Sequence, residues 1–272
     1  MAVTMAEISK LRNMTGAGMM DCKNALTEAN GDFDKAIEII RKKGQAIAAK
    51  RSDREASEGC VLAKAENGFA AVLALKCETD FVAKNEDFIA LTQSILDKAI
   101  AEKPESLDAL KALTMDGRTI ADLVTERSGI TGEKMELDYY EFVKGNTVVS
   151  YIHPGNKLAT IAAFAEENVD NQVARDIAMQ AAAMNPVSLD RTSVPQKVID
   201  TELEVGREKA RQEGKPENML DRIAEGRLNK FFQESTLLEQ AFIKDSKVSV
   251  ANYLKANNAT ATDFKRVTLN QE

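Results

Sequence analysis

Apolar positions recur at helical spacing over the first part of the chain, in three short runs separated by turn residues. Thr4 and Glu7 form a capping box at the start of the first run. Gly16 and Gly31 follow the first and second runs, and glycine readily adopts the left-handed conformation that ends many helices. Cations cluster where the third run should end, which suits the helix dipole. We therefore predict a three-helix module over residues 1–43.

Farther along, the apolar period changes from helical to alternating, which predicts strands. A first alternating stretch leads to Asn67-Gly68, a two-residue hairpin turn, and Phe69–Cys77 returns as the second strand. A long amphipathic helix follows over Glu86–Ala101, and two shorter helical stretches come after it. We predict that residues 59–133 form one half of a core in which helices back an antiparallel sheet.

The same order of elements recurs in the rest of the chain. Met135–Val143 alternates as a strand, and stretches over 148–152 and 158–165 form a second hairpin. A helix over 171–184 then follows that hairpin. The recurrence indicates an internal duplication, so we predict a second antiparallel-sheet-plus-helices half over residues 134–272.

Two helical stretches with charged outer faces interrupt this second half at about residues 195–232. Gly214 ends the first stretch and Pro216 begins the second, which predicts an inserted antiparallel helical hairpin, a short coiled coil. Residues 44–58 are rich in cations and predict a solvated basic linker between the opening module and the core. The predicted fold class is therefore α+β.

Composition narrows the function classes. The formal net charge is −7, which argues against a general nucleic-acid binder, because such proteins need a basic face to replace phosphate counterions. The apolar runs are shorter than the roughly 18 residues of a membrane helix, and the start lacks a secretory pattern, so we expect a cytoplasmic location. Cys22, Cys60 and Cys77 are widely spaced and odd in number, which predicts reduced, buried thiols.

The residues that enzymes commonly use are sparse. His153 is the single histidine and precedes Pro154 in a turn, where a structural role is the usual one. No cluster of cysteine and histidine offers a metal site, and no glycine-rich phosphate-binding motif is present. We therefore expect no covalent catalysis, with no catalytic residues, no cofactor and no metal.

The most distinctive segment is Cys77–Asn85, where a core strand ends and the first long helix begins. Phe81 is a large, stiff apolar side chain, and Asp80 is a compact negative charge beside it. A junction of strand and helix is a rigid base from which both side chains could enter a partner's pocket. The local alternative is that Phe81 packs under its own helix and Asp80 caps that helix.

Leu11–Leu26 and Cys77–Asn85 resemble the two signatures of the elongation factor Ts family, and the likeness extends over nearly the whole chain. The resemblance implies an exchange factor that binds elongation factor Tu, both GDP-bound and nucleotide-free, and promotes GDP release during translation. In that family a four-residue segment intrudes beside the partner's bound magnesium and nucleotide. Here that segment is Thr79, Asp80, Phe81 and Val82.

The opening module also resembles ubiquitin-associated domains in its fold. Met19 and Met20 are candidate docking contacts on this module, because adaptable thioethers suit a binding surface. Filling the small core of the module is the alternative role of both methionines. The resemblance implies no direct contact with nucleic acid or membrane, and it leaves open a higher-order complex with elongation factor Tu.

Three other functions remain as alternatives. An adaptor would use the helical module to bind a peptide or a ubiquitin-like partner without changing nucleotide release. An RNA-binding translation factor would use the basic Arg41–Arg54 stretch, and its binding would fall steeply with salt. A hydrolase would need a pair of catalytic carboxylates, and nothing in the pattern singles out such a pair.

Overall fold

The computed structural model describes residues 3–270. The chain begins with three helices, α1 (Met5–Thr15), α2 (Met19–Glu28) and α3 (Phe33–Lys50), which together form what we call the head (residues 3–50). The predicted capping box is confirmed, because the Thr4 amide donates to Glu7 Oε2 at 2.8 Å and the Glu7 amide donates to Thr4 Oγ1 at 3.3 Å. Leu11 and Leu26, together with smaller apolar side chains, fill the core of the head.

The third helix continues to Lys50, so the prediction that it ends near residue 43 is wrong, and so is the prediction of a solvated linker beginning at residue 44. Gly44 lies in the middle of this helix and faces Gly129 of a core helix. A Cβ atom built on Gly129 would stand 2.2 Å from the Cα of Gly44, so the two backbones touch. This packing, together with the good helix formers that follow Gly44, lets the helix propagate where glycine alone would favour a stop.

Cations of the basic Arg41–Arg54 stretch are ion-paired with acidic side chains. These pairs are Arg41 with Asp122 and Glu126, Lys43 with Asp21, and Arg51 with Glu78. Three of the four acidic partners belong to the core, so the basic stretch joins the head to the core instead of extending into solvent.

The first part of the core contains three long strands, four helices and a short two-stranded ribbon. In chain order these are β1 (Glu58–Glu66), β2 (Phe69–Cys77), α4 (Asp80–Ala83), α5 (Glu86–Glu102), α6 (Leu107–Ala112), β3 (Thr114–Met115), β4 (Arg118–Thr119), α7 (Ile120–Thr131) and β5 (Glu136–Lys144). The predicted hairpin turn is confirmed, because Asn67 and Gly68 both have positive φ, at 49° and 75°.

Strand β5 pairs antiparallel with β2, which gives a three-stranded sheet in the order β1-β2-β5. We predicted that the second half of the core begins at residue 134, and that boundary is wrong for this strand, which completes the first sheet. The physical reason lies in β2, whose side chains are almost all buried. A strand buried on both faces satisfies its backbone hydrogen bonds by pairing on both edges.

The second part of the core repeats the use of hairpins and helices. In chain order it contains β6 (Thr147–Ile152), β7 (Leu158–Phe164), α8 (Asn171–Met184), α9 (Gln196–Gln212), α10 (Leu220–Ser235), β8 (Ala241–Phe242), β9 (Asp245–Ser249), α11 (Val250–Ala256) and β10 (Ala261–Thr268). The second sheet is antiparallel with the order β10-β7-β6. The two helices predicted at about residues 195–232 are α9 and α10, and they pack together where Gly206 meets Ala224.

The two three-stranded sheets pack face to face, with helices on their outer sides. Small side chains such as Ala63, Ala74 and Ala163 line the interface between the sheets. Helix α5 covers the outer face of the first sheet, and α8 covers the outer face of the second. No helix within residues 3–270 is both long and apolar enough to cross a membrane. The chain is thus a mixed α+β protein, with helices first and antiparallel sheets backed by helices after them.

Candidate partner-binding site

Strand β2 leaves the core at Cys77 and leads directly into the segment Thr79–Val82, which we call the wedge. Phe81 of the wedge is 84% exposed, the highest exposure of any large apolar side chain within residues 3–270. Val82 packs partly against the core and Ala83 is buried, so the single turn of α4 is held on its inner side. The alternative in which Phe81 packs under its own helix is wrong.

Thr79, and not Asp80, caps the turn. The amide of Val82 donates to Thr79 Oγ1 at 3.4 Å. Asp80 points into solvent, where its Oδ2 accepts a hydrogen bond of 2.6 Å from Lys84 Nζ. This hydrogen bond lowers the pKa of the Asp80 carboxyl, and the charge of Lys157 contributes further. The wedge therefore presents a carboxylate next to an exposed ring.

Two carboxylates hold the base of the wedge: Glu133, which is distant in the sequence, and Glu78, which directly precedes the wedge. Glu133 Oε2 accepts hydrogen bonds from the amides of Glu78 at 3.1 Å and Thr79 at 3.0 Å, and Glu133 Oε1 accepts from Thr79 Oγ1 at 2.6 Å. Glu78 in turn accepts from the Lys134 amide at 2.6 Å and from Arg51 at 2.8 Å. These contacts, with the amide bond first, lower the pKa of Glu78.

The contributions of Arg51 and Glu133 were not foreseen from the sequence. Glu133 lies 54 residues beyond Thr79, and Arg51 lies 27 residues before Glu78. Glu133 follows the left-handed end of α7 at Gly132, and Arg51 is the C-cap residue that follows α3. Helix-end signals could have located both residues locally, but no periodic pattern relates either of them to the wedge.

Two further residues fix the strand and the helix on either side of the wedge. Cys77 is buried, its Sγ donates to the Thr79 carbonyl at 3.2 Å, and burial raises the pKa of its thiol to about 12. Asn85 caps α5, accepting from the amides of Asp87 and Phe88 at 2.9 and 3.3 Å. All three cysteines are free and buried, which confirms the prediction made for them.

The turn between β6 and β7 lies close to the same end of the first sheet. The Val61 amide donates to the Asn156 carbonyl at 2.7 Å, and Lys157 forms an ion pair of 2.6 Å with Glu58. His153 is exposed in this turn, with its Nδ1 3.0 Å from the Tyr151 hydroxyl. The second sheet therefore borders the wedge, although its residues lie far along the chain.

The two methionines singled out on the head differ in their surroundings. Met20 is 64% exposed, whereas Met19 is half-buried and packs against the core of the head. Core filling thus describes Met19, whereas docking stays a prediction for the exposed Met20. Met5 and Met14, also in the head, are 65% and 50% exposed. Since α2 belongs to the head and α4 to the core, the predicted site residues fall into two separate groups.

Within residues 3–270, no group of three or more histidine, cysteine, aspartate and glutamate side chains is arranged to hold a metal ion. The wedge is an exposed apolar side chain beside a half-exposed carboxylate, set on a hydrogen-bonded base. Such an arrangement can insert into a complementary pocket and compete there for cations and hydrogen-bond donors.

The chain is similar to known proteins over its whole length. The family model described as Elongation factor TS matches residues 78–271. An elongation factor Ts of Porphyromonas gingivalis is 62% identical over 275 residues, and one of Azobacteroides pseudotrichonymphae is 54% identical over 274 residues. An elongation factor Ts of Bacteroides fragilis is 47% identical over an alignment of 331 residues. Each of these alignments covers 100% of both proteins.

Proposed function

Since this chain belongs to the elongation factor Ts family, which comprises nucleotide exchange factors and not catalytic enzymes, we propose that it accelerates GDP release from elongation factor Tu by inserting its wedge beside the magnesium and nucleotide. The observation that carries this mechanism is the 84% exposure of Phe81 on a base fixed by hydrogen bonds. An exposed aromatic ring that its own protein leaves uncovered is suited to burial in a partner.

The four residues of the wedge have different roles in this proposal. Phe81 enters an apolar pocket and displaces the backbone that surrounds the magnesium ion. Asp80 brings a negative charge toward the site and competes with phosphate for its cations. Thr79 and Val82 set the direction of the turn, through the helix cap and through packing on the core.

Exchange requires differential affinity for the two states of the partner. A bound magnesium ion neutralises phosphate charge, so disturbing its site weakens nucleotide binding. By linkage, a factor that weakens GDP binding is itself bound more weakly by the GDP form, in the same ratio. The wedge therefore binds the nucleotide-free partner more tightly, and added nucleotide displaces it.

Docking through the head supplies the rest of the interaction in this proposal. Met20 offers an exposed, adaptable thioether, and Met19 supports it from the core of the head. The three helices support an assignment of the head as a ubiquitin-associated-like module. The recurrence of hairpin and helix supports a duplicated core, divided near residues 59–133 and 134–272 apart from β5, with the hairpin of α9 and α10 as an insertion.

The same proposal implies where the protein acts and which partner it binds. We place it in the cytoplasm with elongation factor Tu as its partner, without direct contact with nucleic acid or membrane. The RNA-binding alternative loses support because Arg41, Lys43 and Arg51 are engaged in ion pairs within the chain. The adaptor alternative differs in its kinetics, because an adaptor would bind without changing nucleotide release.

The decisive experiment measures release of a fluorescent GDP analogue from purified elongation factor Tu of the same organism by stopped flow. A substoichiometric amount of this protein should accelerate release of all the bound analogue, since each molecule acts repeatedly. Unchanged release in the presence of a folded, binding-competent protein would reject exchange activity and favour the adaptor.

A further inference from the structure

The base of the wedge is joined to the end of α7 by hydrogen bonds that run in both directions. The Glu78 amide donates to Glu133, and the Lys134 amide donates to Glu78, so each acidic side chain binds the backbone of the other segment. Arg51 closes the arrangement, with Nη1 2.8 Å from both oxygens of Glu78. We call Arg51, Glu78 and Glu133 the junction clamp.

The charges of the junction clamp favour a single geometry. The side chain of Glu78 is only 16% exposed, and Arg51 supplies the cation that a partly buried carboxylate needs. Glu133 carries three hydrogen bonds, two of them from adjacent backbone amides. Hydrogen bonds to an ionised carboxylate are about twice as strong as neutral ones, so the clamp resists rotation of the segment it holds.

Helix α4 cannot hold the wedge in place by itself. It consists of four residues, Asp80–Ala83, and an isolated helix this short is unstable in water. An aromatic side chain as exposed as Phe81 would also gain by folding back onto nearby apolar surface. Packing of Val82 and Ala83 fixes the inner side of the turn, and the bonds from Glu133 to Thr79 fix its beginning.

We propose that Glu133 is a positioning residue for nucleotide exchange, which presets the direction of the wedge through Glu78 and Thr79 before the partner binds. This inference rests on the proposed exchange function. Its consequence is specific: loss of the carboxylate should slow GDP release at saturating concentrations of this protein, while the concentration that gives half-maximal release changes little. Arg51, at the end of α3, extends the clamp to the head.

The test measures GDP release against protein concentration for Glu133→Ala, Glu133→Gln and wild type. Glu133→Ala should lower the maximal rate by about tenfold, since a misplacement of about 1 Å at a reacting centre can cost about 100-fold. Glu133→Gln should recover most of that rate, because its amide oxygen can accept from both backbone amides and its NH₂ group can donate to Thr79 Oγ1. Glu141→Ala, an exposed glutamate on β5, is the matched control and should retain the wild-type rate.

A second readout does not depend on exchange activity. Hydrogen–deuterium exchange at the amides of Glu78 and Thr79 should be slow in the free wild type, faster in Glu133→Ala, and close to wild type in Glu133→Gln. Should Glu133→Ala fail to fold, Arg51→Gln tests the clamp from its other side, with faster amide exchange and a lower maximal rate expected.

Two outcomes would overturn the inference. One is a maximal rate in Glu133→Ala equal to wild type although both amides exchange faster. The other is a loss that Glu133→Gln fails to recover and that affects half-maximal concentration as strongly as maximal rate, which indicates a general structural role. A wild-type protein that fails to accelerate release would instead reject the proposed function, and the amide measurements would still report on the clamp.

Discussion

Phe81 of the wedge and Met20 of the head are both large apolar side chains in water, with exposures of 84% and 64%. The structural elements that hold these two side chains differ. Phe81 follows a strand buried on both faces and stands on a turn that hydrogen bonds tie to Glu133. Met20 lies on a ten-residue helix in a head whose core is made of few, mostly small side chains.

The difference separates two ways of contacting a partner. A phenylalanine has two side-chain torsions and a fixed base, so little conformational entropy is lost when it enters a pocket. A methionine has three flexible torsions and a polarisable sulfur, so it adapts to surfaces of several shapes. We infer that the wedge promotes GDP release through its fixed position, whereas the head contributes affinity for the partner. Substitutions can separate the two contributions.

The largest expected effect is that of Phe81→Ala on the maximal rate of GDP release. Truncation of an aromatic hot spot typically costs about 2 kcal/mol or more, so the rate should fall by about 30-fold. The half-maximal concentration should change much less, because the head still docks. Stopped-flow release across a range of concentrations of this protein separates the two quantities.

Phe81→Leu is the matched control for that substitution, because it keeps apolar bulk and loses the stiff ring. It should release GDP at a rate between those of wild type and Phe81→Ala. Thermal unfolding of all three proteins should coincide, since the ring makes little contact with its own chain. Full exchange activity in Phe81→Ala would contradict the proposal that the wedge promotes GDP release.

The sequence located Phe81 at the junction of strand and helix, but it left open whether the ring is exposed and did not predict what holds it there. Local signals, namely the capping box, the Asn67-Gly68 turn and the alternation that defines β1 and β2, identified the elements correctly because each depends on neighbouring residues. Glu133 and Arg51 reach the wedge only through folding of distant segments, which no periodicity encodes. The same limit explains β5, whose alternation predicts a strand but not the edge with which it pairs.

At Gly44 the error is of the opposite kind, because a local signal was present but predicted the wrong structure. A glycine after a helical run is ordinarily a stop signal, and the cations around it are typical of a solvated segment. Here Gly44 packs against Gly129, where the missing side chain of Gly129 permits the close contact, and acidic residues of α7 pair with Arg41. The local preference of glycine was overridden by tertiary packing that becomes visible only when both helices are known.

A smaller effect is expected at the head, and it should divide between the two methionines. Met20→Ala should raise the half-maximal concentration by about fivefold, equivalent to about 1 kcal/mol, and leave the maximal rate unchanged. Met19→Ala should instead lower the free energy of unfolding by about 1 kcal/mol, because it removes a half-buried side chain from a small core.

Calorimetric titration with elongation factor Tu and thermal unfolding together assign the two effects. Met19 serves as the control for Met20, since both are methionines on the same turn of α2. If Met20→Ala slows release at saturation, the head contributes to the exchange step. The inference that the head supplies only affinity and the wedge alone promotes release would then be wrong.

The smallest expected effect on exchange concerns the crossing of α3 and α7, where Gly44 of the head meets Gly129 of the core. Substitutions at these two glycines should have opposite effects on stability. A Cβ on Gly129 would lie 2.2 Å from the Gly44 backbone, so Gly129→Ala must push α3 from α7 and should destabilise the protein by about 1–3 kcal/mol. A Cβ on Gly44 would meet its nearest atoms, on Glu126, at 3.4 Å, so Gly44→Ala should be neutral or stabilising by up to about 1 kcal/mol.

Displacing α3 also displaces Arg51 at its end, so Gly129→Ala should weaken docking and modestly slow release, whereas Gly44→Ala should change neither. Equal unfolding temperatures for the two variants, measured by calorimetry, would mean that the crossing does not fix the head, and the wedge and the head would then act as independently placed contacts.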